Sequence, residues 1–121
     1  MASLSPGRIF WQVYPGERGA GKSRPMIVAT RRSDILRTGQ VIAVVCSTDF
    51  GEPLDSREVL LPSGTGPRCI TRLPRPTVAV RDWIAELPVG SIRDEDLAGF
   101  VPAALLREIL TRAGLEFTPE R

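Results

Sequence analysis

GERGAGKS, residues 16–23, runs straight into RPMIVAT, residues 24–30, and the fold turns on how this junction is read. The first eight residues satisfy G-x-x-x-x-G-K-[ST], the phosphate-binding loop of nucleotide hydrolases. In that loop glycine amides wrap the phosphates, the lysine reaches the outer ones, and a helix starts at the hydroxyl residue. The continuation refuses that helix. Pro25 alone would be tolerable in a first helical turn, but Met26-Ile27-Val28 is a β-rich run bounded by turn-formers and reads as a strand. Upstream, RIFWQVYP (8–15) reads as another strand, with Trp11 and Val13 on one face and Phe10 and Gln12 on the other. The segment is therefore strand–loop–strand, where a nucleotide site requires strand–loop–helix. The glycines are turn residues that tolerate positive φ, and the motif match is accidental.

Working outward, the alternation and punctuation predict strands at 8–14, 25–30, 41–47, 56–62 and 68–74, with a further one beginning at 77 and continuing ambiguously to 87. VIAVVCS (41–47) is apolar on both faces and is expected at the centre of the sheet. RRSDILRTGQ (31–40) reads as a polar excursion with one short turn around Ser33–Leu36. PAALLREILTRAG (102–114) is the clearest helix, with Pro102 in the first turn and Gly114 at the C-terminal cap. Its apolar stripe is Leu105, Leu106, Ile109, Leu110 and Ala113. The expected fold is mainly β with helices, a small curled antiparallel barrel closed by a C-terminal helix. Residues 1–6 are expected to be a flexible N-terminus, 7–115 a single domain and 116–121 a tail that frays.

Composition narrows the chemistry. The chain has 121 residues, 42% apolar and 25% charged, with 11 Gly and 11 Pro, as expected of one turn-rich globular domain. No apolar run is long enough to span a bilayer and no leader pattern is present, which speaks for a cytoplasmic protein and against a membrane partner. Two cysteines and no histidine speak against a disulfide scaffold or a zinc site. The missing histidine also removes Ser-His-Asp, Cys-His and His-pair mechanisms, leaving Arg, Lys, Tyr, carboxylates, hydroxyls and backbone amides. Net charge is +2, but residues 1–75 carry 11 Arg/Lys against 6 Asp/Glu, and 15 of the 16 cations are arginine. Arginine forks match phosphate and stack on bases, so a polyanion partner fits; an arginine-rich compositional bias is the competing explanation.

The ordering of these pieces carries a resemblance. Gly7-Arg-Ile-Phe-Trp11-Gln-Val, Pro15, the Gly-rich loop, Arg24-Pro25-Met-Ile-Val-Ala-Thr and then Val41-Ile-Ala-Val-Val-Cys-Ser-Thr resemble the MazF/PemK family of toxin ribonucleases. Arg57-Glu-Val-Leu-Leu-Pro, Pro76-Thr-Val-Ala-Val and a terminal helix ending Ala-Gly-Leu extend the likeness over about 7–115, with 63–100 the weakest part. The resemblance implies an SH3-like barrel (CcdB/PemK-like) that forms homodimers. It also implies cleavage of single-stranded RNA at short sequences without a metal or other cofactor, by attack of the 2′-hydroxyl on the adjacent phosphate. The products would be a 2′,3′-cyclic phosphate and a 5′-hydroxyl. A cognate antitoxin whose disordered tail fills the RNA groove is the implied protein partner. The family's arginine falls on Arg24 and its strand-end hydroxyl on Ser47, or on Thr48 if the register shifts by one; its later serine falls on Thr77. Glu17 is the only acid in the first loop. A non-catalytic nucleic-acid- or protein-binding member of the same fold is the alternative.

The residues' own chemistry agrees. A guanidinium supplies two parallel donors to phosphate oxygens, and a neighbouring hydroxyl holds phosphate without histidine. Tyr14 and Phe50 adjoin loops and are candidate stacking platforms. Arg18, Lys22 and Arg31 are candidate phosphate contacts, with solvated loop cations as the alternative. Trp11 and Trp83 are either base-stacking or core residues. Cys46 and Cys69 read as small buried apolar residues.

Overall fold

The computed structural model describes residues 4–16, 21–64, 66 and 69–115. The expectations for residues 1–3, for Glu17 and Arg18, for Arg68 and for the tail 116–121 lie outside the described residues. The chain forms six strands and two α-helices: β1 Arg8–Val13, β2 Ser23–Val28, α1 Arg32–Thr38, β3 Gln40–Ser47, β4 Glu58–Leu61, β5 Thr77–Pro88, β6 Leu97–Phe100 and α2 Ala103–Arg112. Short 3₁₀ turns at Val89–Ser91 and Asp94–Asp96 link β5 to β6. No helix among the described residues is long and apolar enough to cross a membrane.

The opening junction resolves as read. β1 and β2 pair antiparallel, with Ile9 opposite Ile27, Trp11 opposite Pro25 and Val13 opposite Ser23. Ser23 therefore opens a strand, and Gly21 takes φ +80° in the turn before it, a conformation glycine enters without steric cost. The sheet runs β4-β5-β3-β2-β1-β6, all antiparallel, and curls into a half-barrel. β3 lies inside it, as its two apolar faces require.

Alternation divides the sheet's side chains between two cores. Phe10, Met26, Val28, Ala43, Val45, Val78 and Trp83 fill the first; Ile9, Ile27, Val44, Cys46, Ala79 and Val59 belong to the second. Helix α2 lays Leu106, Ile109 and Leu110 on the second core, the stripe expected from its 3.6-residue period. Its first intrahelical bond runs from the Leu106 amide to the Pro102 carbonyl, so Pro102 stands just outside the helix. At the other end Gly114 takes φ +74° and the Leu115 amide closes on the Leu110 carbonyl, the left-handed termination glycine favours.

Three departures from the sequence reading have physical causes. The turn around Ser33–Leu36 is a two-turn helix, Arg32–Thr38. Ile35 anchors it in the first core, Asp34 is shared by Arg31 and Arg37, and Gly39 ends it at φ +71°. The ambiguous 77–87 segment is one strand to Pro88. Its pattern changes parity because residues 80–83 stand against the single Val45, between the pairs Val44–Ile84 and Cys46–Ala79. Such a bulge bends a strand and re-aims its side chains; here it sends Trp83 into the first core.

The third departure is at 68–74, read as a strand. Its described part, 69–74, is a turn, with Arg72 at φ +55° and the Arg72 amide on the Cys69 carbonyl. The turn lies along the free edge of β6, accepting hydrogen bonds from Gly99 and Phe100. Because it follows β4 in the chain, it spans from one edge of the half-barrel toward the other. The strand β6 itself is missing from the sequence reading.

Candidate functional site

At the end of the sheet where β2 begins and β3 finishes, strand alternation fixes which side chains share a face. Arg24 precedes Met26 and Val28 on the first-core side. The β2–β3 register, Met26 opposite Val45 and Val28 opposite Ala43, sets Arg24 opposite Ser47 when continued by two residues. Ser47 itself pairs with Val78, another first-core residue. The two sequence-matched residues therefore share the first-core face of the sheet.

The Arg24 guanidinium carbon sits 4.8 Å from the centroid of the Trp83 ring. Trp83 is in turn met edge-on by Tyr14, centroids 5.3 Å apart at 76°. An arginine over a tryptophan face is held by the ring quadrupole, worth about 0.5–2 kcal/mol. The arrangement differs from that of Arg57, whose fork is spent on Asp55 and Asp82, and of Arg112, which is held by Glu108. Arg24 has no carboxylate within ion-pair distance among the described residues, and its Nε is buried without a hydrogen-bond partner there. An aromatic seat holds the guanidinium by its face, which consumes none of its N–H donors.

Ser47 is buried and locally engaged. The Asp49 amide donates to its Oγ at 3.0 Å, and its hydroxyl donates to the Asp49 carbonyl at 3.2 Å. Phe50 and Tyr14 each pack half-buried against the first core, so both platform candidates lie on the Arg24 side. Thr77 is fully buried at the start of β5, its hydroxyl donating to the Arg75 carbonyl at 2.9 Å. It holds the loop before β5 and borders no cavity described here.

On the opposite side of the same strand ends lies a cavity of about 200 Å³. Ser23 and Pro25, which flank Arg24, border it, as do Cys46 and Thr48, which flank Ser47. Lys22, Arg75 and the half-buried Trp11 complete its sides, together with Arg24 and Pro74. Thus Thr48 and Lys22 share this cavity, whereas Ser47, Tyr14 and Phe50 do not border it. Trp83, on which the Arg24 guanidinium rests, is also absent from its lining. Arg75 was not singled out in the sequence; its signal was the dipeptide Arg75-Pro76 before an apolar strand, the same pairing as Arg24-Pro25.

The remaining candidates stand elsewhere. Arg31 pairs with Asp34 at the start of α1. Cys46 is fully buried, and burial pushes its thiol well above the ordinary cysteine range. Cys69 is half-exposed, with its Sγ 3.3 Å from the Thr71 hydroxyl, a contact that lowers its pKa.

No protein-family model and no curated protein matches the chain. Solved structures do. A chain of the MazE–MazF complex from Deinococcus radiodurans aligns over 94% of this chain and 95% of its own, with TM-score 0.68 and 19% identity. A second form of that complex gives TM-score 0.63 at 20% identity, covering 94% of each chain. The Mycobacterium tuberculosis toxin MazF-mt6 aligns at TM-score 0.62 and 19% identity over 92% of this chain and 99% of its own. The fold is that of the MazF toxins.

Proposed function

We propose that this chain is a MazF-type toxin endoribonuclease that cuts single-stranded RNA without a metal. The observation that carries the reading is the guanidinium of Arg24, seated on Trp83 with no carboxylate partner among the described residues, on the same face of a MazF-like fold as Ser47. In the reaction the 2′-oxygen bonds to the adjacent phosphorus and loses its proton, while the bond from phosphorus to the 5′-oxygen breaks and that oxygen gains a proton. Negative charge gathers on the non-bridging oxygens between the two events. A guanidinium is protonated at any working pH, so Arg24 acts by meeting that charge with paired N–H donors. Ser47 can add a third donor by exchanging the Asp49 carbonyl for a phosphate oxygen, while the Asp49 amide keeps the hydroxyl in place.

That same engagement of Ser47 favours the second reading, a barrel that binds RNA or protein without cutting. Synthetic RNA incubated with the protein in EDTA separates the two. Cleavage is expected, with mass spectrometry showing 2′,3′-cyclic phosphate and 5′-hydroxyl ends. A 5′-phosphate product, or cleavage that requires magnesium, would sink the mechanism; intact RNA would favour the binding module.

The partners follow from the same reading: a second copy of the chain, a MazE-like antitoxin over the RNA groove, and a cytoplasmic setting. Two exposed apolar side chains at the β6 edge, Ile70 and Phe100, adjoin through the Phe100 amide bonded to the Ile70 carbonyl and support a self-association face. Sedimentation at micromolar concentration is expected to give twice the 13.2 kDa chain mass. A persistent monomer would count against a groove shared between subunits.

A further inference from the structure

The cavity behind the Arg24–Ser47 row is lined by three cationic residues, Lys22, Arg24 and Arg75, and among the described residues by no carboxylate. Neither Lys22 nor Arg75, both exposed, has an ion-pair partner among the described residues. Cys46 adds no negative charge, since burial keeps its thiol protonated. Cations gathered around so small a space repel one another, and an anion relieves that repulsion. The hydroxyls of Ser23 and Thr48 border the same space and offer neutral hydrogen bonds to an oxyanion.

The other surfaces of the cavity are flat and apolar: the half-buried Trp11 indole beside Pro25 and Pro74. An indole face takes a planar ring by stacking, a contact that in nucleic-acid sites is worth about 1–3 kcal/mol per base. Phosphate and planar ring together describe a nucleotide. At about 200 Å³ the cavity is below the usual ligand pocket of about 300–1,000 Å³, which limits it to one unit. Its position is the second argument. Arg24 itself borders the cavity, and because β2 and β3 alternate, so do its neighbours Ser23 and Pro25 and the residues on either side of Ser47, Cys46 and Thr48. A strand bent over the sheet end with one phosphate on Arg24 brings the adjoining nucleotide to this opening.

We propose that this cavity is a nucleotide subsite, with a phosphate held between Lys22 and Arg75 and its base against Trp11. Assigning that nucleotide to the RNA flanking the scissile phosphate rests on the endoribonuclease reading; binding itself does not. Uridine 5′-monophosphate is the direct probe, read by tryptophan fluorescence, since the chain has two tryptophans and only Trp11 borders the cavity. The expected result is a saturable change that is lost in Trp11→Phe and kept in Trp83→Phe. Lys22→Ala/Arg75→Ala should raise the Kd at least about tenfold, as loss of charge-assisted contacts does. Uridine and inorganic phosphate should each bind more weakly than the nucleotide.

Cleavage, measured in parallel, keeps the two readings apart. Nucleotide binding that depends on Lys22 and Arg75 in a protein that leaves RNA intact upholds the subsite and removes the nuclease. RNA cleavage with unchanged rate and sequence preference in the Lys22→Ala/Arg75→Ala variant, without nucleotide binding, overturns the subsite and leaves the nuclease. An acidic peptide that saturates the Trp11 signal where the nucleotide does not also overturns it, in favour of a protein ligand.

Discussion

Arg24→Ala is expected to slow RNA cleavage by at least about 100-fold while the protein stays folded. The rate estimate follows from what the side chain would do: removing one positioned donor from a developing oxyanion costs about 2.7–4 kcal/mol, or 10²–10³ in rate. The folding estimate follows from where it sits. Deletion gives up the contact with Trp83, about 0.5–2 kcal/mol, and also removes a buried Nε that has no partner among the described residues, a group that is costly to keep dry. These contributions oppose, so the melting temperature should move little. Arg24→Lys separates charge from geometry. It keeps a cation but loses the planar fork and most of the stacking on Trp83, and should recover only a small part of the lost rate. Single-turnover cleavage and thermal melts on the same preparations provide the comparison. A folded Arg24→Ala protein that cuts within about threefold of the parent would remove Arg24 from the reaction.

The aromatic seat gives this prediction its content. An arginine held by a carboxylate is positioned at the expense of its donors, as with Arg57 between Asp55 and Asp82. One held on a tryptophan face is positioned through its π surface, and its edge remains free for a ligand. Tyr14, whose ring meets that of Trp83 at 76°, extends the platform. Its contribution to RNA binding would then pass through Trp83 as well as through any base it touches.

Much of this was legible in the chain, for reasons that differ by element. The β1–β2 hairpin, β3 and α2 announce themselves because each has one unbroken pattern: alternation, a doubly apolar run, a 3.6-residue stripe. The register of Arg24 and Ser47 was legible only as a resemblance, and strand pairing supplies the reason the two belong on one face. What sequence could not show was β5 beyond Val80. A bulge inverts the alternation there, so a period-2 reading loses the strand at the point where Trp83 changes face. The turn at 69–74 imitates a strand because Thr71 and Leu73 are both buried, but they are placed by hydrogen bonds to distant segments. The cavity was invisible for a related reason. Lys22, Trp11 and Arg75 come together only through the hairpin register and the path of the chain before β5.

Gly99→Ala should be the most damaging single methyl group that can be added to this fold. The position lies in a short apolar run, LAGF (97–100), and an isolated glycine in a strand is a sign of close backbone approach. Here the approach is extreme. A Cβ on Gly99 would stand 1.7 Å from the Ile70 carbonyl oxygen and 2.7 Å from the carbonyl carbons of Ile70 and Thr71. All three are main-chain atoms, so no side chain can swing aside. The turn cannot lift cheaply either. Thr71 is buried and donates to the Pro62 carbonyl at 2.7 Å, and Leu73 is buried in the second core. Movement of β6 in the other direction would break its pairing with β1. Either route loses the bonds from the Gly99 and Phe100 amides, about 0.5–1.5 kcal/mol each, on top of an overpacking cost of about 1–3 kcal/mol. A loss of roughly 3–5 kcal/mol corresponds to a fall of more than about 10 °C in melting temperature for a domain of this size. Gly90→Ala is the matched control, since a Cβ there meets nothing within 4 Å, and it should stay within about 0.5 kcal/mol of the parent. If Gly99→Ala melts within about 3 °C of the parent, the turn does not lie against β6 as described, and the bridge between the edges of the half-barrel is not what holds it closed.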